Sequence, residues 1–363
     1  MINIILSLIV FIRFMFADES ISYDYRFYIA FFNELNILSI FDLFKRIEES
    51  FPYISWGEPR TSEFEFGFAL ISYTLGKFFY PKLLYSVIAA SSIYIKLDVL
   101  RKFKVHFLLL FLFYVFDICI FESNQLRAGL ALAFFMMLFY YNYQKNYNFL
   151  KFILIVLAST IHLSILVLIG LLFLSNFIIS FNKKSSVKLL FYIFLLFFFI
   201  VNNLGFISSI FGAFPHVQDK IYEYQFIENN FDTYNSTSGW NHASALSLLF
   251  TLFFFLSRKF VQKKESIYGI IFSACNFILI FFSNELIIIS GRLWLLCFPI
   301  LLLCFSIGLE YSRPHYKNAL FFLEYTIFAF LLFLLLTIIY RYPSSNFFSL
   351  IFTPIDFIPP ELY

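Results

Sequence analysis

Long apolar runs recur along nearly the whole chain of 363 residues, and they restrict its fold more than any other feature. Each run is roughly 15 to 23 residues long, near the ~20 residues that a helix needs to cross a bilayer. Short polar or basic breaks separate the runs. Because a chain in lipid must satisfy its own backbone hydrogen bonds, such runs are helical where they span. The sequence therefore predicts an all-α fold, a polytopic transmembrane helix bundle with about 11 to 12 spans.

The composition excludes a water-soluble globule. Hydrophobic residues make up 61% of the chain and charged residues only 13%, and the mean hydropathy is +0.82. The formal net charge is only +3, and the basic residues cluster beside apolar runs. We therefore predict the lipid bilayer as a partner and no nucleic acid.

The predicted spans form a single integral membrane domain over residues 1–363, since no repeat and no low-complexity linker marks a second domain. The first run has no basic segment before it and no clear A-x-A site, so we interpret it as an uncleaved helix. The predicted spans are 2–17, 83–100, 105–121, 125–143, 149–162, 163–181, 187–206, 241–257, 267–283, 286–309 and 318–340.

The basic breaks indicate which side each loop faces. Lys and Arg are enriched in cytoplasmic loops of membrane proteins, so these breaks are predicted to be cytoplasmic. The alternate breaks then face outward, among them an extracytoplasmic loop at 207–240 and the break at 283–285. The basic breaks are 101–104, 143–151, 182–188, 257–264 and 312–317.

The segment 64–82 leaves the orientation of the N-terminal part open. If it spans the membrane, the N-terminus is outside and 18–63 is cytoplasmic. If it does not cross fully, the N-terminus is inside and 18–63 is an outer loop. We favour the second interpretation, because 18–63 is rich in Asp and Glu and suits a site shared with other outward-facing groups.

Arg127 is the most conspicuous charge in an apolar context, since it lies in "FESNQLRAGLALAFF". A charged residue at a helix centre costs about 2.5 to 3.5 kcal/mol on insertion scales, so such residues usually serve a function. Arg127 could be an anchor at the outer interface, or it could pair with Glu122. With Asn124 and Gln125 beside it, however, its fork of N–H donors also suits the binding of an anionic substrate.

His162 and Asp24 are candidate proton acceptors. The run 149–181 is too long for one ordinary span, and we predict two short spans that turn near "STIHLS", with His162 at the outer end of both. His162 could be a hydrogen-bonded residue at a helix end or a general base with a near-neutral pKa. Asp24, which is close to Tyr28, could belong to an interfacial amphipathic helix or could bind hydroxyls at the outer mouth of the bundle.

Two further basic residues belong to this set of outward-facing groups. Arg292 lies near the outer end of a long apolar run. Like Arg127, it is therefore a candidate for binding an anionic substrate. Lys220 lies in the outer loop, in "PHVQDKIYEYQF", where aromatic and polar side chains suit carbohydrate but also fit a solvated amphipathic helix. We expect Arg127, His162 and Arg292 to line one cavity that opens to the outer leaflet, with Asp24 near its rim.

The sequence contains no hydrolase elbow, no phosphate-binding loop and no dinucleotide-binding fingerprint. We predict neither a metal nor a cofactor. The cysteines lie in apolar runs without the spacing of a zinc site or a redox pair, so we interpret them as packing residues. They are Cys119, Cys275, Cys297 and Cys304.

Four segments together resemble the EpsG family of bacterial exopolysaccharide proteins, which is related to the Wzy-type polymerases. They are "YDYRFY", "SNQLRAGLALAF", "KNYNFLKFILIVLASTIHLSILVLI" and "GRLWLLCFP", and in order and spacing they cover most of residues 20–300. Asp24 and Tyr28 match the family's D-x-x-x-Y pattern, Arg127 its helix-opening arginine and His162 the histidine of its A-x-x-(F/I)-H-x-S pattern. Ala128 stands where members often carry Gln.

The resemblance implies a polymerase, a metal-independent glycosyltransferase, in the bacterial cytoplasmic (inner) membrane. Its substrate would be an undecaprenyl-pyrophosphate-linked oligosaccharide, and flippase and chain-length regulator proteins would be candidate partners. Arg127 would stabilise the leaving pyrophosphate, and His162 or Asp24 would take the hydroxyl proton. Arg292, Tyr28, Gln125 and Lys220 would bind substrate.

Two other functions use similar residues. A membrane acyltransferase that modifies extracellular glycans would also need a His and buried polar groups. A flippase or transporter of lipid-linked sugars would need cationic groups distributed through the membrane. A polymerase needs such groups at one depth in the membrane. The predicted outward placement of Arg127, His162 and Arg292 therefore favours the polymerase.

The predicted sidedness can be tested by cysteine labelling. We expect the loops that contain Lys102, Lys183 and Lys263 to be cytoplasmic, and 207–240 and the C-terminus to be extracytoplasmic, because of the Lys/Arg asymmetry. Ser236→Cys should therefore react with an impermeant reagent added to intact cells. Labelling only in inverted vesicles would overturn this topology.

Overall fold

The computed structural model describes twelve helices and, among the residues that it describes, no strand. In chain order they are α1 Ile2–Met15, α2 Tyr23–Ile37, α3 Phe66–Gly76, α4 Pro81–Lys102, α5 Phe107–Asp117, α6 Leu126–Tyr143, α7 Asn148–Ile161, α8 Ile165–Ser180, α9 His242–Ser257, α10 Lys263–Phe282, α11 Ile287–Ser312 and α12 Asn318–Arg341. The described residues are 2–16, 23–37, 39, 41–42, 65–118, 125–144, 148–162, 164–180, 242–258, 263–282, 287–312 and 318–341.

The all-α class is confirmed for this part of the chain. Every predicted span on described residues coincides with a helix, whereas the span predicted at 187–206 lies outside them. The chain also breaks between α7 and α8 at His162, where a turn was predicted. Two helices were not predicted as spans, namely α2, within the predicted outer loop, and the short α3.

By length and composition, one described helix, Pro81–Lys102, could cross a bilayer unaided. Eight other apolar helices within the described part of the chain have 10 to 17 residues. The number of crossings therefore stays a prediction.

Helix α1 buries polar side chains against its neighbours and exposes apolar side chains on its outer face. Its polar side chains Asn3 and Arg13 are buried at 3% and 4% exposure, whereas Ile4 and Leu8 are exposed at 61% and 53%. In water the hydrophobic effect would favour the opposite arrangement. An outward apolar stripe with inward polar groups is what a helix in lipid requires, and it supports membrane association.

The described helices group into two compact units. The first contains residues 1–166 and 337–363, and the second contains residues 167–336. In the second unit, α9 and α10 run antiparallel, because Thr251 Oγ1 donates to Ser273 Oγ at 2.9 Å while Ser266 Oγ donates to the Phe254 carbonyl at 3.2 Å. The predicted single domain is not tested by this grouping.

In the first unit, α1 runs antiparallel to α4. Phe14 near the end of α1 contacts Tyr85 near the start of α4, with ring centroids 4.9 Å apart, and Tyr80 hydroxyl lies 3.2 Å from Met15 Sδ. The N-terminal end of α1 therefore lies toward the basic end of α4, which agrees with an inside N-terminus.

Helix α3 has only 11 residues and a length of about 17 Å at 1.5 Å per residue, too short for a hydrocarbon core of about 30 Å. The chain then turns through residues 77–80, and Pro81 occupies the first turn of α4, where its missing N–H has no helical role. This geometry supports the interpretation in which segment 64–82 does not cross fully.

A fully buried ion pair joins α4 and α5. Lys96 Nζ lies 2.8 Å and 2.9 Å from the two carboxylate oxygens of Asp117, and both side chains have 0% exposure. Within the apolar interior each of the two charges compensates the other. Neither residue was predicted from the sequence to be important.

Breaking this pair should destabilise the protein strongly. Lys96→Met leaves Asp117 buried without that partner, which typically costs about 3 to 5 kcal/mol. The double variant Lys96→Met with Asp117→Leu should recover most of the loss, as measured by the melting temperature of the purified protein in detergent. A matched control is Lys102→Gln, which breaks an exposed i,i+4 pair with Asp98 and should cost only about 0.3 to 0.5 kcal/mol. Equal losses for Lys96→Met and Lys102→Gln would contradict the assignment.

Candidate functional site

The carboxylate of Glu65 joins two side chains that are distant in the sequence. Its Oε2 accepts from Nη1 of Arg127 at 2.5 Å, and its Oε1 lies 3.0 Å from Nδ1 of His162. Each of the two partners thus has its own carboxylate oxygen. Charge-assisted contacts of this kind are stronger than neutral hydrogen bonds.

The ends of three helices place these groups. Glu65 is the extended residue before α3, with φ −61° and ψ 145°, and Arg127 is the second residue of α6. His162 follows the last residue of α7, where its backbone N–H still donates to the Ala158 carbonyl at 3.1 Å. Helix ends carry backbone groups that the helix itself does not pair, so polar side chains concentrate there.

Tyr28 connects α2 to this cluster. Its hydroxyl accepts from the backbone N–H of Arg127 at 3.4 Å, one of the first-turn donors of α6 that have no partner within the helix. The ring is only 4% exposed and makes edge contacts with Phe68 and Tyr85 at centroid distances of 5.6 Å and 5.8 Å. Tyr28 therefore anchors the start of α6 against α3 and α4.

A glycine allows α3 to approach α7 closely enough for the Glu65 contact. A Cβ atom built at Gly67 would lie 2.4 Å from Oγ1 and 2.8 Å from the backbone carbonyl carbon of Thr160. Thr160 is two residues before His162, and Gly67 is two residues after Glu65. The close helix contact therefore lies directly beside the carboxylate–imidazole contact.

The electrostatics favour an ionised carboxylate. Burial alone raises the pKa of Glu65, which precedes α3 and lies outside the helices. The Arg127 charge and the His162 hydrogen bond outweigh that effect and lower the pKa to about 2. The side chains of Glu65, Arg127 and His162 keep 26%, 24% and 17% exposure, so the cluster is partly open.

The structure brings Arg127, His162 and Tyr28 together, and their roles stay predictions. Gln125 is the N-cap residue of α6, and its carbonyl accepts from Gly129 N–H at 2.8 Å. Asp24 lies in α2 and Arg292 in α11, but their side chains are outside the described set, as are Lys220 and Glu122. The cavity predicted for Arg292 is therefore untested.

Glu65 is the residue that sequence reasoning missed. It lies in "EFEFGF", at the start of a segment considered only as a possible span. The available signal was the need of Arg127 for a counter-charge, which was sought only in the nearby Glu122.

The model of the EpsG family matches residues 2–352 of the chain. The match covers nearly the whole chain and confirms the resemblance found in the sequence. No curated protein and no solved structure matches the chain.

The glycine contact yields a stability test. Gly67→Ala should force α3 away from α7 and cost about 1 to 3 kcal/mol, as overpacking does. Gly170→Ala is the matched control, since no atom of the described residues outside its own stretch of helix lies within 4 Å of its added Cβ, and Ala favours helix. Melting temperatures in detergent would compare the two variants.

A second substitution distinguishes the contribution of the Thr160 side chain from that of its backbone. In the Gly67→Ala background, Thr160→Ala should recover only part of the loss, because the backbone carbon of residue 160 would still lie too close. If Gly67→Ala melted at the same temperature as Gly170→Ala, the close contact would be ruled out.

Proposed function

Because the chain belongs to the EpsG family, we propose that this exopolysaccharide-related membrane protein is a polysaccharide polymerase. It would transfer lipid-pyrophosphate-linked oligosaccharide repeat units onto one another at the outer side of the cytoplasmic membrane. The observation that supports this proposal most is the joining of Arg127 and His162 by one carboxylate. The cluster offers an anion-binding group and a proton acceptor within one partly exposed site.

The proposed reaction needs both groups. An acceptor sugar hydroxyl forms a C–O bond to the anomeric carbon of the donor chain, and the bond from that carbon to the pyrophosphate oxygen breaks. The bond's electron pair leaves on the lipid pyrophosphate, while the hydroxyl proton passes to a base. Negative charge therefore grows on the leaving group as the proton is removed.

Arg127 is the proposed ligand of the pyrophosphate. A guanidinium carries five N–H donors in a fixed fork, and the contact with Glu65 is made through Nη1. Arg127 also lies in the first turn of α6, where backbone N–H groups and the helix dipole favour anions. Donors already in place where charge develops are the usual source of large electrostatic catalysis.

His162 or Asp24 is the proposed general base, and no metal is needed in this scheme because cationic side chains neutralise the leaving group. The residues proposed to bind substrate are Arg292, Tyr28, Gln125 and Lys220. Because Tyr28 is buried, it would act by holding the start of α6 in place. The substrate would be an undecaprenyl-pyrophosphate-linked oligosaccharide, and the protein a multi-pass component of the inner membrane. Flippase and chain-length regulator proteins are proposed neighbours.

The depth of the charges favours a polymerase over a flippase. A flippase needs cationic groups along an aqueous path, whereas the Arg127 cluster lies at helix ends. The charged pair further along α4, Lys96 with Asp117, is fully buried with its partners 2.8 Å apart and offers no solvent-exposed surface.

The Arg127 role can be tested with a charge-preserving variant. Arg127→Lys keeps the charge but loses the fork, so it should not restore polymer. Because the interaction strengthens as charge develops, turnover should fall along with affinity. Polymer length and membrane abundance should be measured together for Arg127→Lys, Arg127→Ala and the exposed control Arg101→Lys.

The two explanations of Arg127 give opposite results. An interfacial anchor tolerates Lys, since Lys also extends its charge to the interface. Normal polymer from Arg127→Lys at normal abundance would therefore exclude the paired phosphate contact.

A further inference from the structure

We propose that Glu65 is a positioning residue that holds the imidazole of His162 with its proton on Nδ1 and its lone pair on Nε2. Nε2 of His162 then becomes the atom that takes the acceptor's hydroxyl proton. The first statement concerns the resting protein, and the second rests on the proposed polymerase function. Together they assign the base to His162 instead of Asp24.

The assignment of the proton follows from hydrogen-bond chemistry. An ionised carboxylate can only accept hydrogen bonds. Glu65 Oε1 lies 3.0 Å from Nδ1 of His162, so Nδ1 must carry the hydrogen that lies between them. In a neutral imidazole the other nitrogen, Nε2, then has the lone pair.

Arg127 keeps the carboxylate fixed. Its Nη1 donates to Oε2 at 2.5 Å, which favours the ionised state and restricts rotation of the carboxylate group. The second oxygen is thereby directed to His162. Gly67 supports the same alignment, because it lets the start of α3 lie against Thr160 at the end of α7.

Nε2 is the ring nitrogen that remains for a substrate. Among the residues that the structure describes, no hydrogen bond reaches Nε2, and the His162 side chain is 17% exposed. His162 lies in the short break between α7 and α8, outside both helices. Nε2 can therefore accept a hydrogen bond from a sugar hydroxyl while Nδ1 remains bonded to Glu65.

The Glu65 carboxylate lies beside the ring that would accept the proton during the reaction. The described groups at this site are Glu65 from the start of α3, Arg127 from α6 and the Tyr28 hydroxyl from α2. When the hydroxyl O–H bond breaks and its proton joins Nε2, the imidazolium lies beside a carboxylate. That contact stabilises the positive charge and holds the ring in place, as the acidic member of a catalytic triad does.

The tautomer can be measured without any assay of polymer. The full-length protein, labelled with ¹⁵N-histidine and placed in nanodiscs, should be studied by NMR at a pH where the imidazole is neutral. The chain has five histidines, so the His162 signals are identified by their loss in His162→Gln. We expect a protonated Nδ1 and a bare Nε2 in the wild type. A protonated Nε2 with a bare Nδ1 would overturn the proposal.

Glu65→Gln tests whether the carboxylate is the cause. An amide can accept or donate, so the Nδ1–H form should no longer dominate. The exposed Glu310→Gln is the matched control and should leave the His162 signals unchanged. An unchanged tautomer in a folded Glu65→Gln protein would exclude the positioning role, and if that variant does not fold, the wild-type spectrum decides.

Polymer formation connects the tautomer to turnover. Polymer formation by the purified protein from a lipid-linked repeat unit should fall about 10²- to 10⁴-fold in Glu65→Gln, the range for general-base catalysis. Near-normal turnover in a folded Glu65→Gln protein would refute the base assignment.

Failure of the proposed function gives a different result. In that case the wild-type protein would form no polymer, while NMR would still show Nδ1 protonated through Glu65. The positioning role would then stand, and only the polymerase proposal would be lost.

Discussion

The contact of one carboxylate with a guanidinium and an imidazole determines how the first unit is arranged at this end of its helices. Glu65 meets Arg127 across 62 positions of sequence and His162 across 97. Each partner comes from a different helix end, so the contact fixes the start of α3 against α6 and α7. Arg127 in an apolar context needs a counter-charge, and Glu65 supplies it while directing its second oxygen to the histidine.

Much of the fold could be predicted because apolar run length and the cost of unpaired backbone groups in lipid act locally along the chain. Arg127 and His162 could be singled out for a related reason, since ionisable residues are rare in such surroundings. Glu65 could not, because an acidic residue at the edge of an apolar segment looks like a solvated loop residue. The role of Glu65 depends on contacts between residues from three helices, and no pattern in the local sequence indicates those contacts.

Two other features could not be settled from the sequence alone, for reasons specific to each. Helix α3 is short and ends at a turn before Pro81, so its apolar content resembles a span while its length does not allow one. Lys96 and Asp117 are separated by 21 positions, and each looks like an isolated charge until α4 and α5 are placed side by side.

Burial separates the roles that these two charge pairs can have. Lys96 and Asp117 are fully enclosed, so exchanging either partner would expose a charge to an apolar interior, which is strongly unfavourable. The Arg127–Glu65 pair keeps about a quarter of each side chain exposed, and at such a site the dielectric is higher and the penalty for exchange smaller. A phosphate could therefore share the guanidinium with Glu65 without the helices separating. The enclosed pair is suited to holding α4 against α5, and the open pair is suited to binding an anion that must arrive and leave.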